Sequence, residues 1–261
     1  MKSFDPHLFW KAKPEILDQL QGAPFTGDGY HHFVLQWGRE FYEERVHMAG
    51  ITDGNLVLDA GCGLGQFSAG LSKYNRNVLA FDRSEAMVQT TNMLKKAWSL
   101  DNVEVIQAEL PAVPFPDRHF DHVWCAGVLM FAGVHASLAE FNRVLKPGGR
   151  IYGNINRWAR WLLNVARAQA AGKANALKRY IAVLADGNKP DQRFCYLEPS
   201  DLEQLAKSLG LRILGMGDEG TVDLSGLGRK RPMFNANLVI DAPGEPTVEL
   251  PQLLEFVLEK P

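Results

Sequence analysis

The chain predicts an α/β protein: a mostly parallel sheet with helices packed on both faces. Three observations predict it. Leu56-Val57-Leu58 is an apolar run suited to a strand covered on both sides, and it feeds a glycine turn, Asp59-Ala60-Gly61-Cys62-Gly63-Leu64-Gly65. A second strand-like segment, Asn77 to Asp82, ends in a carboxylate 17 residues beyond Gly65, within the usual spacing of a strand-helix-strand unit. Further strand signals follow in Val103 to Leu110 and Asp121 to Leu129.

Composition sets the frame. With 261 residues, 46% hydrophobic and 22% charged, one soluble domain with an insertion is the expectation. A net charge of −2 gives no global drive toward nucleic acid. No apolar run approaches the roughly 18–20 residues that span a bilayer, and Met1 to Pro6 lacks an apolar signal core. The three cysteines, 62, 125 and 195, are scattered and lack metal-ligand spacing, so they read as reduced thiols in a cytoplasmic protein that holds no metal.

Residues 1–54 read as an N-terminal helical extension, with Phe33, Trp37, Phe41 and Val46 at roughly helical spacing. Their aromatic neighbours, Tyr30 among them, either line a pocket or bury a helix face. Residues 55–156 form the core. Its glycine turn poses the question of ligand. A dinucleotide site wants Gly-x-Gly-x-x-Gly, but Gln66 stands where the third glycine belongs. Asp59 beside the turn would repel a phosphate and attract an amino or sulfonium cation. Asp82 either takes both hydroxyls of a ribose or caps the helix starting near Ser84. The third strand runs into Pro-Ala-Val-Pro-Phe-Pro-Asp (111–117). The helix through Leu138 to Leu145 is stopped by Pro147-Gly148-Gly149, and a strand, Ile151 to Asn156, follows.

In this order the five elements resemble the class I S-adenosylmethionine-dependent methyltransferases, nearest their ubiquinone/menaquinone-type branch. The resemblance rests on acidic-x-Gly-x-Gly-x-Gly at residues 59–65, on Asp82-Arg83-Ser84-Glu85-Ala86-Met87, on the 103–121 stretch and on the segment Leu138 to Gly149. It implies a Rossmann-like, seven-stranded, mostly parallel sheet with an antiparallel pair at its edge. It also implies S-adenosyl-L-methionine as cofactor and S-adenosyl-L-homocysteine as product. Asp59, Ala60, Gly61, Gly63 and Gly65 would cradle the cofactor, Asp82 and Arg83 its ribose, and Glu109 and Leu110 its adenine. Ala108-Glu109 replaces the family's Gly-Asp, which puts the adenine contact in question. Cys125 is either a wall of the site or a small buried hydrophobe. The implied chemistry is in-line methyl transfer to a small molecule. A hydroxyl acceptor would need a base, for which His31, His32 and His135 are the candidates.

Residues 157–199 read as a helical lid. Trp158, Trp161, Leu162 and Val165 repeat at helical spacing, Gly172 interrupts, and Leu177, Tyr180, Ile181 and Leu184 resume the pattern. Trp158, Trp161 and Tyr180, with Tyr30, are the candidate substrate contacts. Residues 157–193 hold eight Lys/Arg against two Asp, a charge that would draw an anionic substrate or touch a membrane surface. Ser200 with Glu203 suggests a helix start, Leu211 to Met216 and Pro232 to Ile240 the last two strands, and Leu253 to Leu258 a short terminal helix. Three rival readings differ in kind: methylation of a lipid or quinone at the membrane, a nicotinamide oxidoreductase, and a cofactor-binding protein without catalysis.

Overall fold

The computed structural model describes residues 37–187, 189, 194–230, 237–240 and 248–261. Tyr30, His31 and His32 lie outside them. The elements are α1 (Gly38–Met48), β1 (Val57–Ala60), α2 (Gln66–Tyr74), β2 (Val78–Asp82), α3 (Glu85–Ala97), β3 (Val103–Gln107), β4 (Phe120–Cys125), α4 (Leu129–Ala132), α5 (Val134–Val144), β5 (Leu145–Asn156), α6 (Trp158–Ala170), α7 (Ala174–Asp186), α8 (Pro199–Ser208), β6 (Arg212–Asp218), β7 (Asn237–Ile240), β8 (Val248–Pro251) and β9 (Leu253–Glu259).

Seven strands form one sheet in the order β3-β2-β1-β4-β5-β9-β6. The first five are parallel, and β9 runs antiparallel to both β5 and β6. Successive residues along each strand feed opposite faces. Leu58, Val123, Ile151 and Phe256 pack into one core, with α5, α8 and Trp161 of α6. Val57, Trp124, Tyr152 and Val257 pack into the other, with α1 and α2. A sheet sealed on both sides explains the unbroken apolar runs.

The edge differs from expectation. Leu253 to Leu258 is not a helix but most of β9, seated inside the sheet between β5 and β6. The expected strand near 232–240 is the four-residue β7, paired with β8 in a separate ribbon. Glu255 misleads the sequence pattern: it is a charged residue buried at the middle of β9. Its Oε1 accepts from Arg45 Nη2 at 2.8 Å and Tyr152 Oη at 2.7 Å, and its Oε2 from Gly220 N at 2.7 Å. Ser200 is not the cap of α8. Glu198 is, in a reciprocal capping box with Asp201. Glu198 also accepts from Arg157 Nη2 at 2.7 Å and Trp158 N at 3.1 Å, so one carboxylate ties the starts of α6 and α8. Gly172, at φ +64°, separates α6 from α7.

Candidate active site

Strand order reverses direction of growth at β1, with β2 on one side and β4 on the other, and open α/β sheets bind ligands beyond the carboxyl ends of strands at such a point. A cavity of about 470 Å³ lies there. Its wall takes Gly61 after β1, Asp82 and Arg83 from the end of β2, Glu109 and Leu110 after β3, and Gly127 after β4.

The turn after β1 is built for close approach. Gly61 and Cys62 both donate their N–H to Phe81 O at 2.8 Å, which pins the turn to β2. Gly61 has φ +79°, and a Cβ there would come within 2.4 Å of Val128. Gly65, at φ +85°, begins α2, and a Cβ would strike Thr91 at 2.6 Å. A Cβ on Gly63 would meet nothing within 4 Å, so the backbone there borders open space. Thr91 Oγ1 donates to Gly63 O at 2.8 Å and holds the turn from α3.

Two carboxylates flank this turn. Asp82 Oδ2 accepts from Gly63 N at 3.1 Å and Oδ1 from Ser84 N at 2.9 Å. Each oxygen keeps a lone pair for a ligand hydroxyl. The helix cap is Ser84, whose Oγ accepts from Met87 N, so Asp82 is not needed for that role. Asp59 is buried and accepts from Ser68 Oγ at 2.6 Å. Burial pushes its carboxyl up to about 7 against the Ser68 bond, and Asp82 adds to the rise. Arg83 and Glu109 face each other across the rim at 3.6 Å, both well exposed. Gln66 keeps a buried Oε1 without a hydrogen-bond partner directly after the glycine turn.

A second cavity, of about 400 Å³, lies between β5 and the α6–α7 hairpin. Gly127 and Phe131 line both cavities. Trp161 and Tyr180 line the second, with ring centroids 5.7 Å apart, and Trp161 Nε1 donates to Cys195 O at 3.1 Å. Trp158 lines neither cavity and is 37% exposed. Cys125 lines neither as well: it is fully buried in the core, and burial holds its thiol well above the ordinary range. His135 sits in the first turn of α5 and lines neither, though its neighbours Gly133 and Ala136 do line the first.

Arg45 of α1 is a core residue, 2% exposed. Burial alone would press its guanidinium down, but Tyr152, Glu255 and Glu219 outweigh that and hold it protonated. Sequence reading missed Asn154, Asn156 and Phe194 of the second cavity. The signal was present for two of them: asparagines at i and i+2 near the end of an otherwise apolar strand share one face.

Comparison with known proteins agrees with this geometry. Residues 58–153 match the family model described as "Methyltransferase domain". A ubiquinone/menaquinone biosynthesis C-methyltransferase from Shewanella sp. (strain W3-18-1) is 34% identical over 145 residues, covering 54% of this chain and 53% of that protein. The chain thus spans about half the length of the curated relatives it matches. In structure it resembles the YcgJ protein from Bacillus subtilis, with a TM-score of 0.57 at 14% identity over 84% of this chain and 97% of that one. A SAM-dependent methyltransferase from Aquifex aeolicus gives 0.51 at 18% identity over 99% and 100%. These two likenesses establish the fold.

Proposed function

We propose, from the match of residues 58–153 to a methyltransferase-domain model and the likeness to a ubiquinone/menaquinone biosynthesis C-methyltransferase, that the chain is a class I methyltransferase that moves a methyl group from S-adenosyl-L-methionine to a small-molecule acceptor. The observation that carries this reading is the meeting of the two cavities at Gly127 and Phe131. A donor in the first and an acceptor in the second would face each other across one short stretch of chain, as in-line transfer requires.

The residues fit the donor. Asp82 has the free lone pairs for two adjacent hydroxyls, Gly63 borders open space, and Glu109 with Leu110 offers a polar and an apolar edge to a base. The unpartnered Oε1 of Gln66, directly after the glycine turn, suits an ammonium donor rather than a phosphate. The cofactor supplies a methyl carbon that is already electrophilic. The protein's work is then to align, to hold and to exclude water. The lid, α6 and α7, covers the acceptor side. No histidine of the described residues lines either cavity, so the reading does not rest on a histidine base.

Calorimetric titration with S-adenosyl-L-methionine, S-adenosyl-L-homocysteine and NADH tests it, followed by methyl release against pooled metabolites. Binding of the first two alone is expected; binding of NADH instead would overturn the assignment. A second reading, a quinone or lipid acceptor met at a membrane surface, draws on two exposed apolar side chains of the lid, Trp158 and Ile181 (52% exposed), beside its basic residues. No helix among the described residues is long and apolar enough to cross a membrane, so any such contact would be peripheral. Co-sedimentation with anionic vesicles decides this reading, and an unbound chain at physiological salt would remove it.

A further inference from the structure

The second cavity carries more chemistry than a generic acceptor needs. One side is apolar and ring-sized: Phe131, Trp161, Tyr180, Phe194, Met130 and Leu253. The other is polar in one sense only. Arg160 and Arg179 line it, and among the described residues no acid does.

Both arginines lack a carboxylate partner within ion-pair distance among the described residues, although most other arginines of the sheet and lid have one. Arg157, one turn before Arg160, is bound by Glu198 and Asp218. Arg143, Arg150 and Arg212 are likewise paired. Arg160 is half-buried, and its Nη1 donates only to the neutral Gln252 Oε1, at 3.1 Å. Burial, and then Arg167, lower its pKa, with Glu219 opposing from beyond contact. A guanidinium held this way would gain from a mobile anion. Arg179 is spread over the rings of Tyr180 and Phe194, 5.3 and 5.6 Å from their centroids, which fixes the group at the cavity wall.

The floor adds directional groups. Asn154 is 3% exposed and its Oδ1 accepts from Gly127 N at 2.6 Å, leaving its amide N–H groups without a partner among the described residues. Asn156 is 7% exposed, and its side chain makes no hydrogen bond to any described residue. Both asparagines line the cavity, so their unused amide groups are open to a ligand there.

Resting on the function proposed above, we infer that the acceptor is a small aromatic or similarly apolar acid, whose anionic group is read by Arg160 and Arg179 and whose polar oxygens meet Asn154 and Asn156. The body lies against Trp161 and Phe131, toward the shared wall at Gly127. A planar guanidinium takes a carboxylate or a phosphate monoester alike in bidentate geometry, and favours either over a neutral ring.

The test titrates the full chain, loaded with S-adenosyl-L-homocysteine, with three soluble aromatic carboxylates (benzoate, salicylate and indole-3-acetate), their neutral amides, phenyl phosphate, and vesicles of phosphatidylglycerol. Intrinsic tryptophan fluorescence and calorimetry report binding. Saturable binding of at least one soluble acid is expected, at least tenfold weaker for its amide. Arg160→Gln and the exposed-side variant Arg179→Gln should each weaken it by tenfold or more, while S-adenosyl-L-homocysteine affinity stays unchanged. Equal binding of acids and amides overturns the inference. So does wild-type affinity in both arginine variants, preference for the vesicles over every soluble acid, or no acid binding by a protein that still binds S-adenosyl-L-homocysteine. Loss of S-adenosyl-L-homocysteine binding by the unaltered chain would instead strike the cofactor reading, so the two failures are separable.

Discussion

Asp59 and Asp82 lie at the ends of neighbouring parallel strands, yet one is buried and the other faces the cavity. Asp82 is anchored by two backbone N–H groups and open to the cavity. Asp82→Ala should weaken S-adenosyl-L-methionine binding by about 1.5–3 kcal/mol, the worth of hydrogen bonds to a charged group, or roughly ten- to a hundredfold. Calorimetry on the folded variant checks it, and an unchanged dissociation constant would remove Asp82 from the ribose role. Asp59 instead sits in the core edge with its carboxyl raised to about 7 by burial. Its folded pKa lies above the unfolded value, so the folded state holds the extra proton between about pH 4 and pH 7. Stability contributed by the neutral form is therefore complete below the unfolded pKa and is lost as pH rises to 7, by up to roughly 4 kcal/mol. Asp59→Asn should flatten that dependence, which urea unfolding at pH 5 and pH 8 would read; the same slope in both proteins would mean that Asp59 stays ionised in the fold. Both aspartates were legible because strand ends and glycine turns announce themselves locally. Cys125 was not, because whether a strand's last side chain meets the cavity or the core depends on a register that its own segment does not contain.

Among elements, β9 is the one whose identity the sequence conceals. Leu253-Leu254-Glu255-Phe256-Val257-Leu258 has an acid in the middle of an apolar run, and nothing nearby in the chain explains it. The explanation lies 210 residues away in α1, where Arg45 reaches through the sheet edge to Glu255 and Glu219. Tyr152 of β5 completes the cluster, donating to Glu255 and accepting from Arg45 at 2.6 Å, while its ring stacks on Trp124 with centroids 3.6 Å apart. Such a cluster locks α1, β5 and β9 in one arrangement. Arg45 is the cluster's only cation among the described residues, and removing it takes the charge partner from the buried Glu255, so Arg45→Ala should cost about 3–5 kcal/mol in urea unfolding. A loss under 1 kcal/mol would show that water enters and solvates the acids. The α6–α7 hairpin, by contrast, was readable as two helices with a glycine break, because amphipathic spacing and a positive-φ turn are local signals. Which of its arginines are spoken for was not. Arg157 and Arg160 stand one turn apart on the same face, and only the packing of α8 decides that Glu198 takes the first.

At the scale of the molecule, the parallel half of the sheet carries the proposed donor site and the lid carries the proposed acceptor site, with Gly127 common to both. Of the residues the sequence proposes for the donor, Gly61, Asp82, Arg83, Glu109 and Leu110 line the first cavity, because strand ends and the turns after them are short-range features, whereas Asp59, Ala60, Gly63, Gly65 and Cys125 are not among its lining residues. The acceptor half was legible only as a charged, amphipathic insertion, since its cavity is assembled from β5, α6, α7 and the segment at Phe194, which meet only in the fold. A fold of this kind hosts many chemistries, so the donor must be tested on the whole chain rather than inferred from topology. Ligand binding to the folded state alone raises stability by about 2.7 kcal/mol at a hundred times the dissociation constant. For a chain of this size that corresponds to a rise in Tm of roughly 5–10 °C. S-adenosyl-L-methionine and S-adenosyl-L-homocysteine should both produce it, NADH should not, and Asp82→Ala at the same ligand concentration should lose most of it. A shift with NADH alone would return the glycine turn to a dinucleotide. A shift with the two sulfur ligands but no methyl release against any metabolite pool would leave the site as a binding device, with the anion-reading cavity its remaining route to a partner.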